Sequence, residues 1–192
     1  ERESRIHPLK DDKVLTDWNG LMIASLARAG QILNDEEYIN AAEKAAEFVY
    51  DNLTNKEGKL VKRYRLGEAG LQPHLDDYSF MIWGLLNLYE ATFKTEYFSR
   101  AIDLMEIMVQ DFSDESGGFY IGSKNAEKLM VRAKDSFDSA IPSGNSVAAM
   151  NLFRLGKMTG NTKWTELGEK TLKAFTEQAK QSPNGFSHML TA

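Results

Sequence analysis

Three segments of this chain are apolar on nearly every face of a helix, and a short polar cluster opens each one. Asp17-Trp18-Asn19 precedes the run 21–29, Asp76-Asp77-Tyr78 precedes 80–89, and Ser143-Gly144-Asn145 precedes 147–155. A helix with no polar face has to be buried on all sides. Each run is followed by an ordinary amphipathic helix. After the first, Tyr38, Ala41, Ala42, Ala45, Phe48 and Val49 form one stripe at the helical period, with Glu43, Lys44 and Glu47 on the wet side. Tyr97, Ala101, Leu104, Met105 and Met108 repeat the pattern, and Trp164, Leu167, Leu172 and Phe175 repeat it again. The chain therefore reads as three inner/outer helical hairpins, at about 16–53, 76–112 and 143–181. Tyr38, Tyr97 and Trp164 recur at matching places, and Gly58, Gly117 and Asn184 close the units. The period far exceeds the roughly 33–34 residues of tetratricopeptide or ankyrin repeats. Inner helices that need neighbours on both flanks fit a ring, so the fold expected is all-α, part of an α/α toroid. In such a ring the polar starts of the inner helices gather on one rim.

The connections are less regular. Residues 1–13 read as loop, broken by Pro8, with Asp11-Asp12-Lys13 either a rim element or a solvated turn. Thr16 or Asp17 is the expected cap of the first inner helix, and Ser143 that of the third. The 54–74 segment is loop-like, with a short arm around Leu60, Val61 and Tyr64, and its basic cluster Lys62-Arg63-Tyr64-Arg65 reads as solvated. A long connection, 122–142, carries Asp135 and Asp138; connections of that length are functional or mobile.

Composition narrows the function classes. A length of 192 residues suits one domain with a sizeable core. The net charge of −5 and the lack of a longer basic cluster exclude a dedicated nucleic-acid surface. No apolar run reaches the roughly 18 residues of a membrane span. With no cysteine there is no disulfide, thiolate ligand or thiol nucleophile, which fits a reducing, cytoplasmic setting. No metal-ligand spacing and no glycine-rich phosphate loop is present, so neither metal nor cofactor is expected. The first residue is Glu1, and a new apolar-leaning stretch containing His188 begins after Pro183-Asn184-Gly185. Both ends are read as cuts in a longer protein.

Residues 11–24, with Asp11-Asp12-Lys13 and Trp18-Asn19-Gly20-Leu21-Met22-Ile23, resemble a signature of the YyaL-like family. That family comprises thioredoxin-domain-containing proteins and includes spermatogenesis-associated homologues. Leu75-Asp76-Asp77-Tyr78-Ser79-Phe80 and Pro142-Ser143-Gly144-Asn145-Ser146-Val147 resemble two further signatures, in the same order. The resemblance implies an N-terminal thioredoxin-like domain followed by an (α/α)6 toroid similar to N-acylglucosamine 2-epimerases and six-hairpin glycosidases. On that reading this chain is about half of the ring, and the thioredoxin-like domain lies outside it.

A rim of carboxylates, amides and aromatic rings suits a sugar. Aromatic faces stack on the C–H face of a pyranose, Asp and Asn hold hydroxyls, and two carboxyls can divide acid and base roles. The candidate catalytic residues are Asp77, Asp138 and His74. The candidate substrate-binding residues are Asp17, Trp18, Asn19, Asp76, Tyr78, Ser143 and Asn145. The same residue types also cap helices, and of the tandem pair Asp76 is the better cap candidate. The function expected is carbohydrate binding or glycosidase/epimerase-like catalysis, with a non-catalytic protein or peptide scaffold as the alternative. Half a ring would also leave apolar edges, so self-association is expected.

Overall fold

The computed structural model describes residues 4–126 and 130–192. Parts of the expected 1–13 loop and 122–142 connection, namely 1–3 and 127–129, lie outside the described residues. Six α-helices are present among them: α1 (Thr16–Leu33), α2 (Glu36–Asn52), α3 (Leu75–Thr92), α4 (Thr95–Phe112), α5 (Gly144–Thr159) and α6 (Thr162–Gln181). They form three antiparallel hairpins within a residue or two of the expected bounds. The inner helices α1, α3 and α5 stand side by side with α3 in the middle, and α2, α4 and α6 pack outside their own partners. All three inner helices thus begin at one end of the molecule. Short 3-10 turns at Pro183–Phe186 and Met189–Thr191 follow α6.

Burial follows the number of neighbours. Helix α3 is flanked on both sides, and Phe80, Ile82, Leu86 and Leu88 are fully buried. Helix α1 departs from the expectation of burial all round. Trp18, Met22, Ser25 and Ile32 fall on one face and are exposed. The reason is geometric: α1 has α3 on one flank and no inner helix on the other. The same asymmetry explains Tyr38. Its repeat partners Tyr97 and Trp164 are buried, whereas Tyr38 on the outer helix of the same edge is exposed.

Helices α1 and α3 meet backbone to backbone. A Cβ added at Gly20 would lie 2.5 Å from the Phe80 carbonyl carbon and 2.6 Å from the Met81 nitrogen. On the opposite side, a Cβ at Gly84 would lie 2.9 Å from the Gly20 carbonyl oxygen. Neither main chain can give way, so only hydrogen fits at this crossing.

The arm between α2 and α3 is a small antiparallel sheet. Strand β2 (Arg63–Arg65) pairs with β1 (Val14–Leu15) on one side and β3 (Glu68–Gly70) on the other. Thr16 at the start of α1 is tied to the same arm: its N–H donates to the Lys62 carbonyl at 3.1 Å and its hydroxyl to the Val61 carbonyl at 2.6 Å. The basic cluster is therefore not a solvated loop. Arg65 pairs with Asp12 at 2.6 Å, and Lys62 turns under the sheet toward the helix starts. Among the described residues no helix is long and apolar enough to cross a membrane.

Alanine ordinarily outperforms glycine within a helix by about 1 kcal/mol. Gly20→Ala should reverse that sign, because overpacking against backbone costs about 1–3 kcal/mol or more. Urea denaturation should show G20A less stable than the parent, while Ser25→Ala on the open face of the same helix changes stability by less than about 0.5 kcal/mol.

Candidate functional site

The residue preceding α1 is Leu15, which has no side chain able to cap a helix. The free N–H groups of the first turn are satisfied from elsewhere. Trp18 N–H donates to Asp17 Oδ1 at 2.8 Å, and Asp17 N–H donates across to Asp77 Oδ1 at 3.1 Å. Asp77 Oδ2 accepts the N–H of His74, the residue that precedes α3, at 2.7 Å. One carboxylate therefore caps two adjacent inner helices. This reverses the expectation for the tandem pair: Asp77 is the cap and Asp76 is not. The cap expected at Thr16 or Asp17 is shared: the Asp17 side chain takes Trp18 N–H, and Asp77 takes the Asp17 N–H in trans. Ser143 takes its expected place at the start of α5, accepting Ser146 N–H at 3.2 Å.

Lys62 completes the cluster. Its Nζ lies 2.9 Å from Asp17 Oδ2 and 3.4 Å from Asp77 Oδ2. Partial burial pulls the ammonium down, but Asp77 and Asp17 outweigh it and hold its pKa above the ordinary value. Burial pushes the Asp77 carboxyl up to about 7, against the pull of Lys62 and the His74 N–H. Three donors converge on that carboxyl and keep burial from raising it further. Lys62 was missed in the sequence because its neighbours Arg63 and Arg65 made it look like one of a wet run. The available signal was its place directly after Leu60-Val61, in an arm that has to return to the start of an inner helix.

Asp76 differs from its neighbour. It is half-buried against the start of α5, where a Cβ on Gly144 would overlap Asp76 Oδ1. Burial, with Asp17 and Asp135 adding to it, pushes Asp76 up to about 6; Lys62 and the Gly144 N–H oppose the rise. The Gly144 N–H is its hydrogen-bond partner, and no side chain binds it among the described residues. By helical register Asp76 opens a face that continues through Phe80, Trp83, Asn87 and Glu90. Lower on that face, Trp83 packs against the His188 ring at 5.1 Å and Glu90 pairs with Arg154 at 2.7 Å. His74 is near the cluster; burial and Lys62 push its imidazole below the usual value, with Asp17 opposing.

The other candidates hold backbone. Asp138 Oδ1 accepts Ser143 N–H at 2.9 Å, and its Oδ2 accepts His188 N–H at 2.8 Å and Met189 N–H at 3.3 Å. With both oxygens so engaged, Asp138 ties the long connection to the turns after α6 rather than facing the rim as a catalytic carboxyl. Asn145 is fully buried, and its amide binds Phe119 N–H, the Phe119 carbonyl and the Asp135 carbonyl. That engagement corrects its expected role as a ligand-binding amide. Ser143 is committed to Ser146 in the same way. Tyr78 is buried with its hydroxyl oxygen accepting Leu60 N–H at 3.2 Å, on the far side of α3 from Asp76. Asn19 donates to the Leu15 carbonyl at 2.7 Å, and Trp18 is exposed. The structure therefore brings Asp17, Asp76, Asp77, His74 and Lys62 together at the starts of α1 and α3, with Trp18 beside them.

Two expectations separate the tandem aspartates. Asp77→Ala leaves Lys62 with Asp17 alone and strands two helix-start N–H groups, and urea denaturation should show a loss of about 2–4 kcal/mol. Asp76 is read through pH instead. Its folded pKa lies above the ordinary carboxylate value, so the protonated form stabilises the fold. That contribution is present at low pH and is lost as pH rises from about 4 through about 6. Asp76→Asn cannot ionise, so between pH 4 and 7.5 it should gain roughly 2–3 kcal/mol relative to the parent, read from denaturation curves across that range.

No family model matches the sequence. Against solved structures, the chain superposes on a GH76 alpha-mannanase of Bacteroides thetaiotaomicron with a TM-score of 0.72 at 18% identity, covering 89% of this chain and 47% of that one. It superposes on cellobiose 2-epimerase of Spirochaeta thermophila with a TM-score of 0.68 at 13% identity, covering 85% and 43%. A third match is a GH76 alpha-1,6-mannanase of Salegentibacter sp., in a variant inactive through alanine at two consecutive aspartates and in complex with alpha-1,6-mannotetrose. Its TM-score is 0.66 at 15% identity, covering 84% of this chain and 47% of that one. At these identities the likeness shows the fold, an α/α toroid. In sequence, the chain is 31% identical over its whole length to an uncharacterized protein of Caenorhabditis elegans, of which it spans 27%. It is homologous along its whole length, at 34% identity, to a segment making up 26% of human spermatogenesis-associated protein 20.

Proposed function

We propose that this segment forms part of a carbohydrate-active toroid domain, with its site on the rim where α1, α3 and α5 begin and Asp76 as the carboxyl that exchanges a proton with the sugar. The observation that carries the reading is the contrast within the tandem pair. Burial raises both carboxyls, Asp77 to about 7 and Asp76 to about 6; what separates them is that Asp77 is consumed by holding two helices and Lys62, while Asp76, the residue before it, has no side-chain partner among the described residues. A carboxyl poised near the working pH can both take and give a proton. Support comes from the mannanase inactivated at two consecutive aspartates, since this chain carries consecutive aspartates at the start of an inner helix. The exposed Trp18 supplies an aromatic face at the same rim.

A second reading is a non-catalytic scaffold. It rests on the exposed apolar face of α1, Trp18, Met22 and Ile32, which would take an apolar peptide or a second copy of the chain. For the whole protein we propose the YyaL-like arrangement, a thioredoxin-like domain joined to this toroid in a reducing cytoplasm. A sugar is the ligand in that proposal, and neither nucleic acid nor membrane is a partner.

The test uses the intact protein with alpha-1,6-mannooligosaccharides, cellobiose and mannose, followed by product chromatography and thermal shift. At least one sugar should be converted, and Asp76→Asn should lower kcat by about 100-fold or more while the melting temperature holds or rises. If no sugar is bound or converted, the catalytic reading fails; capture of an apolar peptide that Trp18→Ala abolishes would then establish the scaffold.

A further inference from the structure

On the other side of α3 from the rim, a cavity of about 640 Å³ opens between the 54–62 loop, the 71–73 segment, the end of α4 and the start of the long connection. Tyr78 lines it although Asp76 serves the rim, because two residues turn a helix by about 200°. The cavity falls within the roughly 300–1,000 Å³ of small-molecule sites.

Its polar groups are uncommitted in a particular way. Asp111, almost fully buried, accepts Lys59 Nζ at 2.6 Å and Asn125 Nδ2 at 3.1 Å. The Tyr78 hydroxyl oxygen accepts the Leu60 N–H, but its own proton meets no acceptor among the described residues. Burial pushes the phenol above its ordinary pKa, so that proton stays in place. The Ser123 hydroxyl is alike: it accepts Asn125 N–H at 3.1 Å, and its proton has no acceptor among the described residues. Two buried O–H donors thus share a cavity with a carboxylate whose remaining lone pairs are open.

The charges select among ligands. An anion would meet Asp111 and Glu57, while the nearest cation, Lys59, is already spent on Asp111, and Lys124, 4.0 Å from the same carboxylate, does not line the cavity. A metal ion finds no group of three ligating side chains among the described residues. A neutral molecule carrying hydroxyls can accept from Tyr78 and Ser123 and donate to Asp111. Leu60, Leu71 and Pro73 give its C–H face an apolar wall. We propose that this cavity is a binding site for one neutral sugar residue or a comparably hydroxyl-rich small molecule, separate from the Asp76 rim. It does not depend on the rim being catalytic.

The experiment is saturation-transfer NMR on the intact protein with D-mannose and D-glucose, each at about 10 mM to reach millimolar affinities. At least one sugar should receive saturation from the parent protein. In an Asp76→Asn/Trp18→Ala background, which removes the contacts proposed for the rim, the signal should persist, and adding Ser123→Ala/Asn125→Ala should take it to background. Gln72→Trp, which plugs the exposed mouth, repeats the loss without touching the buried groups, and a melting curve confirms that it is folded. Absence of transfer to either sugar overturns the proposal. So does a signal that survives Gln72→Trp in that background, or one that the rim variants abolish while the cavity variants keep it.

Discussion

The rest of the molecule depends on one carboxylate capping two helices. Asp77 accepts the first-turn N–H of α1 through one oxygen and the N–H before α3 through the other. A helix start left uncapped in a buried place costs about 1 kcal/mol or more, and here two starts share one acceptor. The arrangement works only because α1 and α3 approach backbone to backbone at Gly20 and Gly84. A side chain at either glycine would push the helices apart and carry Asp17 N–H out of reach of Asp77. Close packing in the middle of the hairpin pair thus sets the electrostatics at its end.

Asp76 is free because Asp77 is not. Burying two adjacent carboxylates is costly unless each finds partners. The chain supplies Lys62 and two backbone donors to Asp77, and a single N–H, from Gly144, to Asp76. The unequal supply divides the pair into a holder and a carboxyl with a single backbone partner, while burial raises both. Gly144 contributes by lacking a side chain, which lets the start of α5 come close enough to desolvate Asp76 without covering it.

How much of this was legible in the sequence follows the physics of each signal. Helical period and burial on all faces are strong repeating signals, and they placed the three hairpins and the shared rim. They could not show which of two neighbouring aspartates caps, because that depends on which backbone N–H groups arrive from another helix. Lys62 was hidden by Arg63 and Arg65, and its role appears only once β2 pairs with β1 beside Thr16. Asp138 and Asn145 looked like rim chemistry by residue type, yet long loops carry many backbone groups that need partners, and buried polar side chains meet that need. Asp111 and Lys59 gave no signal at all, since they come from a helix end and a loop far apart in sequence.

The exposed flank of α1 bears on the rim as well. Trp18 and Met22 begin the apolar face that has no inner helix beside it, and Trp18 directly follows Asp17. The chain spans less than half of each toroid it superposes on. A further helix laid on that face would remove water from the neighbourhood of Asp17 and Lys62. Loss of screening strengthens every charge interaction there. Asp17 would then raise Asp76 further while Lys62 would hold it down more firmly. Burial itself favours the protonated carboxyl, so covering that face adds to the upward push on Asp76 that Lys62 opposes. The apolar edge and the buried carboxyl are in that sense one feature, since what covers α1 sets how far Asp76 is raised.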